Sequence, residues 1–233
     1  MNPSVASALF SAACLVFGCS SSPLTGEPAS SESANGTPAG NGSSNSAPAL
    51  GPTSTFAAYP AGPYGTVRGA TIENLSFSGW RHPDTANYDT SKFETLRLSD
   101  FYDPDGHTGV KLLAINASAV WCGVCRSEYQ DMNKSQVYST VRPEGIEILG
   151  TLFEDNQYYP AQPLDLHNWG VPASFNVTFP LVLDPGFKMG AFFDSDATPL
   201  NMLVDVRTMT IVQVTMGYST TYWSDVQAVL AKM

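Results

Sequence analysis

Two cysteines separated by two residues, Cys122 and Cys125, follow the apolar run Val110-Lys111-Leu112-Leu113-Ala114-Ile115 and stand at the head of a segment with helical periodicity. A run broken only by Lys111 suits a strand covered on both faces, hence a central strand of a mixed sheet. Beyond it, Cys125, Tyr129 and Met132 recur at helical spacing, and Arg126-Ser127-Glu128 reads as the solvated side of that helix. Free N–H groups at a helix N-terminus favour negative charge, so Cys122 is expected to ionise below the free-cysteine value of about 8.5. Cys125 lies one turn on and can close a disulfide with it. A strand delivering two thiols to the start of a helix is the arrangement a redox dithiol needs.

The flanking segments extend this unit. Gly145 to Phe153 is a second buried-strand candidate, and strand, helix, strand makes the two strands parallel. A short helix is expected around Leu164 to Trp169, ended by Pro172, then a third strand in Phe179-Pro180-Leu181-Val182-Leu183-Asp184 and a helical turn within Gly186 to Phe193. Leu200 to Val206 and Ile211 to Thr215 read as an antiparallel pair, and Trp223, Val226, Val229 and Leu230 mark a closing amphipathic helix. Upstream, Ala70 to Trp80 and the alternating Phe93-Glu94-Thr95-Leu96-Arg97-Leu98 suggest a hairpin-like N-terminal β extension. Asp103-Pro104-Asp105-Gly106 has turn chemistry and lacks the further ligands of a calcium loop.

Composition separates the first quarter of the chain from the rest. Residues 20–55 are nearly all Ser, Gly, Pro, Ala, Asn and Thr, with Leu24 and Leu50 as the large aliphatic side chains. Such a stretch cannot bury enough apolar surface to offset its ordering entropy. As a flexible tether it would reach roughly 30–35 Å. Before it, Val5 to Gly18 is apolar but too short for a bilayer span of roughly 20 residues, and it reads as a signal segment over residues 1–18. Leu15-Val16-Phe17-Gly18-Cys19 resembles a bacterial lipobox, which makes Cys19 the lipid-bearing residue, 19–55 the linker and 56–233 the folded domain. Cys14 and Cys19 belong to that leader, so Cys122 and Cys125 are the pair left to the domain. The formal net charge of −10 argues against a nucleic-acid partner, which needs clustered Lys and Arg.

Asn116 six residues before Cys122, Trp121 beside it, Arg126 and Glu128 after Cys125, the Phe-Pro-Leu-Val-Leu-Asp strand, Pro199 with Asp205 six residues on, and Gly217 form a set of separated features. In these the chain resembles the thioredoxin superfamily, and within it the TlpA/ResA-like thiol-disulfide oxidoreductases of bacteria. The resemblance covers roughly Ile72 to the C-terminus. It implies an α/β thioredoxin-like fold, a central mixed sheet flanked by helices. It implies Cys122 as the attacking thiol, Cys125 as the resolving thiol, and Pro199 as a cis-proline packed against the pair. Trp121, Gly123, Val124 and Thr198 then fall on the substrate-contacting edge, with the Thr198 backbone free to pair with a substrate strand. Trp121 either shields the disulfide or packs in the core.

Asn116 stands where cytosolic thioredoxins carry a buried acid, which leaves water or Glu128 as proton acceptor for Cys125. Gln130 replaces a proline that bends the first helix in many relatives, so a straighter helix is expected. The implied activity is extracytoplasmic thiol-disulfide exchange on protein thiols and disulfides, without a cofactor, supplied with electrons by a membrane donor. His82, His107 and His167 show no metal-ligand spacing. A peroxiredoxin- or glutathione-peroxidase-like peroxidase is an alternative, but such enzymes place Thr or Ser where Ala119 stands, three residues before Cys122. A lipoprotein whose disulfide is merely structural is another.

Overall fold

The computed structural model describes residues 58–193 and 197–233. The signal segment, the tether, Cys19 and the expected domain start at Phe56 lie outside the described residues.

Seven strands form one mixed sheet: β1 (Ser76–Trp80), β2 (Glu94–Arg97), β3 (Leu112–Ser118), β4 (Ile146–Leu152), β5 (Leu181–Leu183), β6 (Leu200–Asp205) and β7 (Thr210–Met216), in the order β2-β1-β5-β4-β3-β6-β7. β3 and β4 are parallel, and β4 is parallel to β5. Every residue of β3 and β4 is buried, as expected for strands enclosed on both faces. β6 and β7 are the antiparallel pair read from the sequence. Among the described residues, four α-helices flank the sheet: α1 (Gly123–Lys134), α2 (Val137–Glu144), α3 (Pro163–Gly170) and α4 (Tyr222–Leu230). Tyr129 of α1 meets Trp169 of α3 edge-on at 5.1 Å, so these two helices share a face of the sheet.

The N-terminal extension reaches both ends of the sheet. β1 pairs with β2 and with β5, adding a hairpin to one edge, and Trp80 meets Phe93 edge-to-face at 4.7 Å to lock it. The segment before it runs along the opposite edge: Gly69 N–H donates to Ile211 O (2.8 Å), Ile211 N–H to Ala70 O (2.9 Å) and Ile72 N–H to Met209 O (2.9 Å). Backbone groups of β7 that would otherwise be bare are thereby paired. Ala70 to Trp80 is therefore two segments with different partners rather than one strand.

One expectation about the first helix is corrected. α1 runs unbroken through Gln130 but ends at Lys134, and α2 starts after Gln136, whose φ of 48° is left-handed. Ser135-Gln136 separates the two helices, and no break falls at Gln130. Glu128 is not on the solvated side. Cys125, Glu128, Tyr129 and Met132 are the buried stripe of α1, spaced i, i+3, i+4 and i+7. Asp103-Pro104-Asp105-Gly106 is a turn whose Asp103 carboxylate accepts from His107 N–H (2.8 Å), Thr108 N–H (2.8 Å) and Thr108 Oγ1 (2.6 Å).

Candidate active site

The carboxyl end of β3 carries the chain through Ala119, Val120 and Trp121 to Cys122, the N-cap residue of α1. Cys122 and Cys125 form a disulfide. Cys122 Sγ accepts the backbone N–H of Cys125 at 3.0 Å, so one of the free donors of the helix start is turned onto this sulfur. A thiolate formed there on reduction would meet the same donor and the positive end of α1. Cys125 is fully buried and Cys122 is 4% exposed, whereas Gly123 and Val124 between them are exposed, Val124 by 49%.

Pro199 enters the site from β6. Antiparallel pairing sets Ala117 of β3 opposite Leu200 of β6, so Pro199 lies at the sheet end where β3 delivers the cysteines. The Thr198–Pro199 peptide is cis, and Pro199 O accepts from Gly217 N–H at 2.8 Å. Pro199 is buried and Thr198 half-buried.

Trp121 is half-buried, and the structure ties it to the loop after β4. Its Nε1–H donates to Glu154 Oε2 (2.8 Å), and its ring stacks on Tyr158 at 5.1 Å. Asp155 holds that loop by accepting from Gln157 N–H (2.7 Å) and Tyr159 N–H (2.9 Å). Tyr158 and Tyr159 are exposed, so an aromatic rim stands beside the disulfide. Glu154 and Tyr158 carry no signal in the sequence, because nothing local ties that loop to Trp121.

Beneath the cysteines, Asn116, Glu128 and Asn201 are buried together. Asn116 Nδ2 donates to Glu128 Oε2 and Asn201 Nδ2 to Glu128 Oε1, both at 2.8 Å. Burial pushes the Glu128 carboxyl up to about 7, against the pull of the Asn201 and Asn116 donors toward the anion. Sequence reasoning misses Asn201. Its signal is a lone amide inside the apolar strand Leu200-Asn201-Met202-Leu203-Val204, which needs a buried partner.

Among the described residues, no three His, Cys, Asp or Glu side chains gather as a metal site requires. His167 Nδ1 is bonded to Tyr88 O at 2.8 Å.

No protein-family model and no curated protein sequence matches the chain. Solved structures do resemble it. A Chlorobium tepidum protein assigned as the thiol:disulfide interchange protein DsbE aligns with TM-score 0.50 and 19% identity over 71% of this chain and 96% of its own. A Bacteroides thetaiotaomicron protein assigned as a protein disulfide isomerase aligns with TM-score 0.51 and 22% identity, over 70% of this chain and 88% of its own. Reduced 2-Cys peroxiredoxin of Plasmodium vivax aligns with TM-score 0.51 and 14% identity, over 70% and 80%. The fold is thioredoxin-like, and its structural neighbours include thiol:disulfide interchange proteins. At these identities the likeness is one of fold, and function rests on the site.

Proposed function

We propose that the protein is a thiol-disulfide oxidoreductase that acts through the Cys122/Cys125 couple on protein thiols and disulfides. The observation that carries this reading is the dithiol at the start of α1, with Cys122 Sγ receiving the Cys125 N–H and Pro199 brought to the same sheet end. In the reducing direction the Cys122 thiolate attacks a substrate disulfide, one substrate sulfur leaves as thiolate, and a mixed disulfide forms. Cys125 then attacks Cys122 Sγ, which releases the second substrate sulfur and leaves the Cys122–Cys125 disulfide. Two electrons pass from the dithiol to the substrate. Glu128, one turn from Cys125 on the buried stripe, accepts the Cys125 proton in this scheme. Trp121, Gly123, Val124 and Thr198 form the substrate-facing edge.

The setting belongs to the same proposal. A signal segment, lipidation at Cys19 and the polar tether place the domain outside the cytoplasm at a membrane surface, where a membrane electron donor would re-reduce the pair. The peroxidase alternative has no hydroxyl at Ala119, and the neighbouring Ser118 Oγ donates to Asn116 Oδ1 at 2.7 Å, away from any peroxide.

Reduction of insulin disulfides by the full chain with dithiothreitol tests the reading. Cys122→Ser abolishes turnover, and Cys125→Ser traps a mixed disulfide with substrate. Undiminished activity of Cys122→Ser overturns it. The reduction potential of the couple then assigns direction, with a value near about −270 mV favouring a reductase and one near about −120 mV an oxidase.

A further inference from the structure

The buried amides around Glu128 form a directed chain. Ser118 Oγ donates to Asn116 Oδ1 (2.7 Å), which turns the Asn116 NH2 group inward. Asn116 Nδ2 donates to Asn201 Oδ1 (3.1 Å) as well as to Glu128 Oε2 (2.8 Å), which in turn aims the Asn201 NH2 group at Glu128 Oε1 (2.8 Å). Asn116 and Asn201 are directly opposed residues of β3 and β6, so the sheet register itself delivers both amides to one carboxyl group. Each carboxylate oxygen meets an N–H donor. A protonated acid would point its hydroxyl at a donor and lose one of these contacts, so the arrangement fits the anion.

We propose that Asn201 is a positioning residue: with Asn116 it holds both oxygens of Glu128 as acceptors and thereby sets the pH range over which this buried acid can take the proton of Cys125. The proposal rests on the thiol-disulfide reading above. In the step concerned, the Cys125 S–H proton passes to a Glu128 oxygen. The Cys125 thiolate forms a bond to Cys122 Sγ, and the bond from Cys122 Sγ to the substrate sulfur breaks. The leaving sulfur carries the electron pair away and is protonated by water. Without the Asn201 donor the anion loses half of its direct hydrogen bonding while staying buried, so Glu128 remains neutral to higher pH and cannot accept the proton.

Other titratable groups near Glu128 come from two elements. On α1 they are Tyr129 and Asp131, the cysteine pair being a disulfide that does not titrate; from the C-terminal segment and α4 they are Tyr218, bonded to Asp131 Oδ2 at 2.9 Å, and Tyr222. Burial pushes Tyr129 and Tyr222 up, and Tyr218 is pushed up to about 12, so these phenols stay neutral over the range in which Glu128 titrates. β3 and β6 contribute the neutral Asn116, Ser118 and Asn201.

Asn201→Leu keeps the branched shape and removes the donor to Glu128; Ser118→Ala leaves both amide donors to Glu128 but frees the orientation of Asn116. The first readout is the Glu128 carboxyl carbon resonance of the oxidised full chain, titrated by NMR, which needs no activity. The midpoint is expected about one to two pH units higher in Asn201→Leu, and shifted in the same direction by less in Ser118→Ala. The second is the pH dependence of the second of two thionitrobenzoate releases when the reduced chain reacts with dithiobis(nitrobenzoate), which reports Cys125 attacking the mixed disulfide on Cys122. Its acid limb should move by the same amount. A carboxyl midpoint unmoved in both variants overturns the proposal, as does a moved midpoint with an unmoved acid limb. Cys122→Ser that retains insulin reductase activity refutes the oxidoreductase reading instead, and the carboxyl titration still reports the clamp by itself.

Discussion

Replacing Glu128 by Gln should change how stability depends on pH, with a sign and size that follow from the site. Glu128 is fully buried, and its carboxyl is displaced from 4.5 to about 7. Over that interval the unfolded chain releases the proton while the folded chain keeps it, so the folded state binds more protons and stability falls as pH rises. The contribution is fully present below the ordinary glutamate value and lost once pH passes about 7. The gap corresponds to about 3 kcal/mol. The substituted glutamine does not titrate, and its amide meets the Asn donors with the same conflict as the protonated acid, one N–H or O–H donor facing another. At about pH 4.5 the two proteins should therefore have similar stability, within about 1 kcal/mol. By about pH 8 the variant should be the more stable by about 3 kcal/mol. Urea unfolding of both oxidised chains across this range measures the difference, and in that difference the other titrating groups cancel. A variant-minus-native difference that is flat with pH, or that falls, refutes the reasoning.

The packing of Tyr129 against β4 yields a second expectation. A Cβ on Gly150 would lie 2.4 Å from the Tyr129 hydroxyl, which is buried without a hydrogen-bond partner among the described residues. Gly150→Ala should cost about 1–3 kcal/mol and Tyr129→Phe about zero, while the double variant should recover part of the loss; additive urea midpoints would contradict this. Asp103→Ala should cost about 2–3 kcal/mol near neutral pH, since it strips the acceptor from His107 N–H, Thr108 N–H and Thr108 Oγ1. Burial alone would raise the Asp103 carboxyl, but these bonds together with Gly106 N–H hold it below the ordinary carboxylate range. Its stabilisation is therefore present above that range and lost as pH falls, so the cost of Asp103→Ala should shrink in acid; a cost independent of pH would count against it.

The strand-helix-strand core is legible in the sequence because its signals are local. Periodicity places β3, β4, β6, β7, α3 and α4 within a few residues, and the cysteine spacing puts the dithiol at the start of α1. α2 is not legible. Val137 and Val141 are its buried anchors, and Pro143 in its last turn reads as a helix breaker. The charge of Glu128 points to solvent, although its position three residues after Cys125 places it on the inward stripe. Periodicity outranks residue type there, and the amides that make burial tolerable come from other strands.

The sequence by itself determined the alternation of strands and helices, the parallel β3–β4 unit and the place of Cys122 and Cys125 at the head of α1, since all of these depend on neighbours within a turn or a strand. Tertiary structure decided what surrounds that pair. It set Asn116 opposite Asn201, 85 positions away, bonded Trp121 to Glu154 across 33, and ran the N-terminal segment along one sheet edge while its hairpin extended the other. Such contacts depend on strand order and register. These emerge when a whole sheet buries its faces at once, and a one-residue slip between β3 and β6 would have turned these amides away from each other.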